Sequence, residues 1–123
     1  MRQICFSLAV IVMIFTSLAP AQAAEQYGVQ VYGGAELDMQ QTAFGREIAG
    51  ADMFCYRTGG SVAKVIGFYK SHRGLTFMGG DETHALFVRE DGNHTVRVMV
   101  VSPWTEAKTG KMKADTLIQI IKE

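Results

Sequence analysis

Apolar positions along this chain recur with two periods. From Ser61 to Lys70 they fall at Val62, Val65, Ile66 and Tyr69, the i, i+3, i+4, i+7 spacing that lines one side of a helix. Phe68 widens the stripe, and Lys64 and Lys70 fall on the wet side. Ser61 is a good N-cap, because its hydroxyl can accept a backbone N–H left unpaired at the helix start. Gly74 marks the end, with His72 and Arg73 near the carbonyl terminus, where positive charge is favoured. An earlier helix is predicted after Asp38, with Gln41 placed as the reciprocal partner of a capping box. Its apolar stripe is Met39, Ala43, Phe44 and Ile48, and Gly50 is its terminator. Gly45 weakens it by about 0.5–1 kcal/mol relative to Ala.

The remaining apolar runs read as strands. They are Gln26–Tyr32, Asp52–Thr58, Leu75–Met78, Thr83–Arg89 and His94–Val101, separated by turns at Gly33-Gly34, Gly59-Gly60 and Gly79-Gly80. Asp91-Gly92 is a two-residue hairpin signal. With these two as the loop, Phe87 faces Val96 and Ala85 faces Val98, and Val100 joins them on a core face. His84 then faces Met99, and His94 faces Arg89. The opposite face carries Leu86, Val88, Thr95, Arg97 and Met99, a mixed set suited to partial cover or to binding. Thr105–Lys113 is polar, with a turn at Gly110. Thr116–Ile121 fits a short helix capped by Asp115, or a strand apolar on both faces. Its shortness and its isoleucines favour the strand. Together these elements predict an α+β domain, an antiparallel-dominated sheet of about five to six strands with two helices packed on one face.

The first 23 residues stand apart from this pattern. Arg2 precedes a mostly apolar run from Ile4 to Leu18, then Pro20 and Ala21-Gln22-Ala23 follow. These are the three zones of a cleavable signal peptide, with small residues where the peptidase pocket requires them. The apolar run is short of the roughly 20 residues a membrane-spanning helix needs. The expected product is a single domain, Ala24–Glu123, periplasmic or secreted, with no stable membrane anchor after cleavage. Cys5 lies inside the leader, so it cannot carry a lipid at the cut.

Cleavage also changes the chemistry. Losing Arg2 takes the twelve basic residues to eleven against twelve acidic ones, a net charge of −1. No basic excess or like-charge run remains, so nucleic acid is not an expected partner. Cys55 becomes the lone thiol and cannot close an internal disulfide. Its apolar neighbours favour a buried small hydrophobe, whereas a reactive thiol needs exposure and a positive neighbour.

No motif assembles a known chemistry. There is no GxSxG elbow and no SxxK, so nucleophilic catalysis lacks support and the balance leans against an enzyme. Gly59-Gly60 lacks the Lys-Ser/Thr of a P-loop, and no CxxCH attaches a haem, so no cofactor is expected. His84 and Met99 as a soft ligand pair suit copper, but no third ligand stands out. The candidate binding residues are Tyr56, Arg97 and Trp104, beside the predicted hairpin; for Trp104, after Pro103 at a strand exit, packing at the core edge is the more common outcome. The alternative is a metal- or thiol-dependent role for Cys55, His84 and Met99.

Several segments resemble a loose family of small exported bacterial proteins of unknown function. They are Val31-Tyr32-Gly33-Gly34-Ala35, Tyr56-Arg57-Thr58, Ser61–Val65 with Phe68-Tyr69-Lys70, Pro103-Trp104, Lys108–Lys111 and Thr116-Leu117-Ile118. Gly33 stands where the resemblance leads one to expect Pro. The resemblance implies a periplasmic-type α+β domain and no catalytic residue. An adequate core, near-neutral charge and no assembled chemistry make the expected role a non-enzymatic binding or envelope accessory protein, with an unidentified protein or small-molecule partner.

Overall fold

The structure is a computed structural model and describes residues 24–123. The signal peptide expected at 1–23 lies outside the described residues. The chain begins with a small hairpin of β1 (Glu25–Gln26) and β2 (Val29–Gln30), turned through Tyr27 and Gly28. The predicted Gln26–Tyr32 strand is thus folded back on itself and is not part of the main sheet. β3 (Glu36–Leu37) leads into α1 (Met39–Ala49), β4 (Asp52–Thr58), α2 (Val62–Lys70) and β5 (Thr76–Gly80). β6 (His84–Asp91) and β7 (His94–Val101) form the central hairpin. A small hairpin of β8 (Trp104–Thr105) and β9 (Met112–Lys113) precedes the last strand, β10 (Thr116–Lys122).

Six strands form one antiparallel sheet in the order β3-β4-β10-β7-β6-β5. The fold is the α+β arrangement, with an antiparallel sheet, that the apolar pattern predicts. β10 is a strand, and its place between β4 and β7 explains its composition. A central strand buried on both faces reads as a continuous apolar run, here Leu117, Ile118, Ile120 and Ile121.

Helix α2 covers one face of the sheet. Val65 and Tyr69 pack there with Phe87, Val98, Ile118 and Ile120, all at 0% exposure. Each such side chain contributes about 1.5–3 kcal/mol by leaving water. Ser61 caps α2 as predicted, accepting from Lys64 N at 3.2 Å. The hairpin turns through Gly92 and Asn93, so Asp91 pairs with His94, Phe87 with Val98 and Ala85 with Val100. The expected register was two residues off. Gly92 at φ 62 takes the first central position of the turn, where positive φ is needed. A shift of two keeps every side chain on its face, so the core set is unchanged. It does separate His84 from Met99, whose direct partners are Val101 and Leu86.

Helix α1 lies along the free edge of β4, past the end of two-residue β3. The Thr42 hydroxyl accepts from Cys55 N at 2.9 Å, and Arg46 Nε donates to Met53 O at 2.9 Å. Asp38 N donates to Cys55 O at 2.8 Å. These three bonds satisfy edge groups that would otherwise invite another strand. The buried side of α1 is therefore set by Thr42 and Gly45, and a Cβ on Gly45 would run into Met53 Sδ. The predicted stripe is outside instead. Met39, Phe44 and Ile48 are exposed, because the helix is turned to serve the β4 backbone. Asp38 caps Gln41 N at 2.9 Å, but the expected reciprocal bond is missing, since Asp38 N is taken by Cys55.

Candidate functional site

On the face opposite α2, Trp104 packs at 4% exposure with Met53, Cys55 and Leu117. Its indole Nε1 donates to Asp115 Oδ1 at 2.9 Å, and Arg57 Nε donates to Asp115 Oδ2 at 2.9 Å. The Arg57 guanidinium lies 5.3 Å from the Trp104 ring centroid, within cation–π range. Arg57 Nη1 also stands 3.8 Å from Asp38 Oδ2. Three residues from β4, the β8 strand and the turn before β10 thus hold one another in place.

This bracket forms the floor of a pocket of about 620 Å³. Its charged lining is Glu36, Asp38, Arg57, Glu106 and Asp115, and its rim includes Gly34 and Gly59. The β8–β9 loop makes one wall and is fastened to α1, because Gln41 Oε1 accepts from Ala107 N at 3.1 Å. That contact is where the Gln41 side chain goes in place of a capping box. Thr109 Oγ1 donates to Glu106 Oε1 at 2.7 Å and, with Lys113 and Arg57 nearby, holds the Glu106 carboxyl below its ordinary range. Lys113 Nζ lies 3.8 Å from Glu106 Oε2. Four carboxylates stand against Arg57 and the neighbouring Lys113 and Lys111, which leaves an excess of one negative charge. Glu36 has no ion-pair partner among the described residues.

The binding residues expected from sequence do not share one cleft. Tyr56 is on the α2 face at 4% exposure, with its hydroxyl accepting from Gln26 Nε2 at 2.8 Å. Trp104 is on the other face and is buried, so it supports the pocket through Arg57 and Asp115 without lining it. Arg97 shares that second face but lies on β7, at the open part of the sheet, paired with Glu123 at 3.3 Å. Of the three, Trp104 alone is linked to the site, through Asp115 and Arg57. The sequence reading missed Glu36, Asp38, Arg57, Glu106 and Asp115 as a group, because they lie far apart along the chain.

The alternative set also disperses. Cys55 is fully buried, with Met53 Sδ and Gln119 Nε2 each 3.8 Å from Sγ. Burial raises its thiol pKa, the reverse of an activated thiolate. β10 and β7 separate β4 from β6, so Cys55 and His84 are roughly 14 Å or more apart at about 4.8 Å per strand. A thiol–imidazole pair needs hydrogen-bond reach, so that arrangement is excluded. His84 Nδ1 instead faces Asp81 Oδ1 at 3.1 Å. Met99 and His84 point to the same face as diagonal neighbours. Among the described residues, no three His, Cys, Asp or Glu side chains converge as metal ligands.

No family model, no curated protein and no solved structure matches this chain.

Proposed function

We propose that this is an exported, non-enzymatic binding domain that takes a small polar ligand with a positive group in the Arg57 pocket. The observation that carries the reading is the pocket itself, about 620 Å³, with charged walls fixed by the Trp104–Asp115–Arg57 bracket. Ligand sites are concave and largely formed in advance, with a few polar groups held by their surroundings. Arg57 is paired with Asp115 and Asp38, and Lys113 with Glu106, which leaves Glu36 to meet a cation.

Export rests on the three-zone leader, and the buried Cys55 is compatible with an oxidising compartment, because a buried thiol is kept from cross-linking. The likeness to small exported bacterial proteins points the same way. An envelope accessory role, in which the positive group belongs to a partner protein, is the protein-binding form of the same proposal.

Chemical-shift mapping with 1,4-diaminobutane tests it. Shifts should cluster at residues 34–40, 57–59, 106 and 115 and should fade in Glu36→Gln. Shifts elsewhere, or none at millimolar diamine, would reject this pocket as the site.

A further inference from the structure

The two edges of the six-stranded sheet are treated differently. The β4 edge is closed by β3 and α1, as described. The β5 edge carries no such cover among the described residues. Every residue of β5, Thr76-Phe77-Met78-Gly79-Gly80, is exposed, and none is charged or a proline. Exposed edges normally carry lysine, proline or a covering element, because their free N–H and C=O groups pair with any strand that approaches. The one blunting device present is a bulge between Phe77 and Gly79. It limits pairing to a short ladder, so the flanks decide which partner fits.

Those flanks are oppositely charged. At the start of β5 stand Lys70, whose Nζ is 4.5 Å from the Phe77 ring centroid, and Arg73. At its end stand Asp81 and Glu82. Arg73 and Glu82 are exposed and have no ion-pair partner among the described residues. An antiparallel strand arriving at this edge needs acidic residues beside Arg73 and basic residues beside Glu82. A second copy of β5, turned about a two-fold axis at Met78, supplies both. The interface is then self-complementary, as a two-fold dimer requires.

The geometry points to β5 as a homodimer edge, at which two copies pair antiparallel and join their sheets, with Arg73 of one opposite Thr83 of the other and so one place from its Glu82. This surface is separate from the Arg57 pocket, so the two proposals stand or fall independently.

Sedimentation equilibrium on protein expressed from the full chain tests it, with circular dichroism confirming that each variant folds. Wild type should show a monomer–dimer equilibrium. Arg73→Glu alone and Glu82→Arg alone should each weaken it about tenfold, since each charge occurs twice across the axis. The double variant should restore it, because the two signs are exchanged and still complementary. Met78→Lys, which puts like charges together at the axis, should abolish it. A monomer at all concentrations up to about 1 mM, at which even a weak pairing shows, would overturn the proposal. So would a dimer indifferent to the single charge reversals, or one that the double variant fails to restore.

Discussion

Arg57 Nε and Asp115 Oδ2 lie 2.9 Å apart although 58 residues separate them, and Trp104 holds the other oxygen of the same carboxylate. One side chain thus ties β4, the β8 strand and the turn before β10 together under the pocket. Asp115→Ala leaves the Trp104 N–H and the Arg57 guanidinium unpaired. With Arg57 and Asp115 partly solvated, at 35% and 26% exposure, the expected loss is about 1–2 kcal/mol. Asp115→Asn, which keeps an acceptor, should lose less. Urea unfolding followed by Trp104 fluorescence measures both; equal losses would contradict the bracket.

Thr42 supports the edge of β4 through its hydroxyl alone. Thr42→Val preserves the shape but leaves Cys55 N without its acceptor in a buried place, at a cost of about 1–3 kcal/mol. Thr42→Ser retains the acceptor and should fall well short of that. Thermal unfolding of the two variants side by side gives the comparison, and a valine variant as stable as the serine one would show that water serves the edge equally well.

Tyr69 is fully buried, and its hydroxyl lacks a hydrogen-bond partner among the described residues; the Tyr32 backbone is close by, but without the geometry of a full bond. Tyr69→Phe removes an unsatisfied group while keeping the ring against Phe87, so stability should hold or rise by about 1 kcal/mol. A loss above that size would mean the hydroxyl is satisfied in solution.

Burial raises the pKa of both Cys55 and Tyr69 above their ordinary values of 9.0 and 10.0. In the unfolded chain both lose protons near those ordinary values, while the folded protein retains them. Stability from these groups is therefore complete below pH 9 and declines as pH rises from there toward the folded values. Denaturation curves from pH 7 to 11 should show this fall, and Cys55→Ala with Tyr69→Phe should flatten it. A fall of equal steepness in the double variant would assign the alkaline limb to other groups. Native Cys55 should also react slowly with a thiol reagent, at a rate set by opening.

The signal peptide proposed at residues 1–23 makes a prediction independent of the fold. Protein recovered from the periplasm or medium should begin at Ala24, as read by N-terminal sequencing. A chain that retains Met1 and sediments with membranes would contradict export by cleavage.

Much of this fold was legible because its signals are local. Ser61 and Asp38 cap the helices they were expected to cap, and the α2 stripe at Val62, Val65 and Tyr69 is buried. The β6 and β7 core face survived a two-residue error in register because a strand repeats every second residue. What failed depended on tertiary contacts. The apolar stripe of α1 is exposed because backbone groups of β4 orient that helix through Thr42 and Arg46. Trp104 is buried, the more common outcome for an aromatic at a strand exit, but nothing local shows that Asp115 and Arg57 engage it. The pocket draws on residues from Gly34 to Asp115, so no single window of sequence contains it.

Calorimetric titration of the protein with 1,4-diaminobutane, beside its uncharged isostere 1,4-butanediol, tests the binding account most directly. Saturable heat is expected with the diamine, none with the diol, and at least a threefold weaker diamine affinity in Glu36→Gln, about the effect of one partly solvated charge pair. Equal binding of diamine and diol, or a diamine isotherm unchanged by Glu36→Gln, would contradict it.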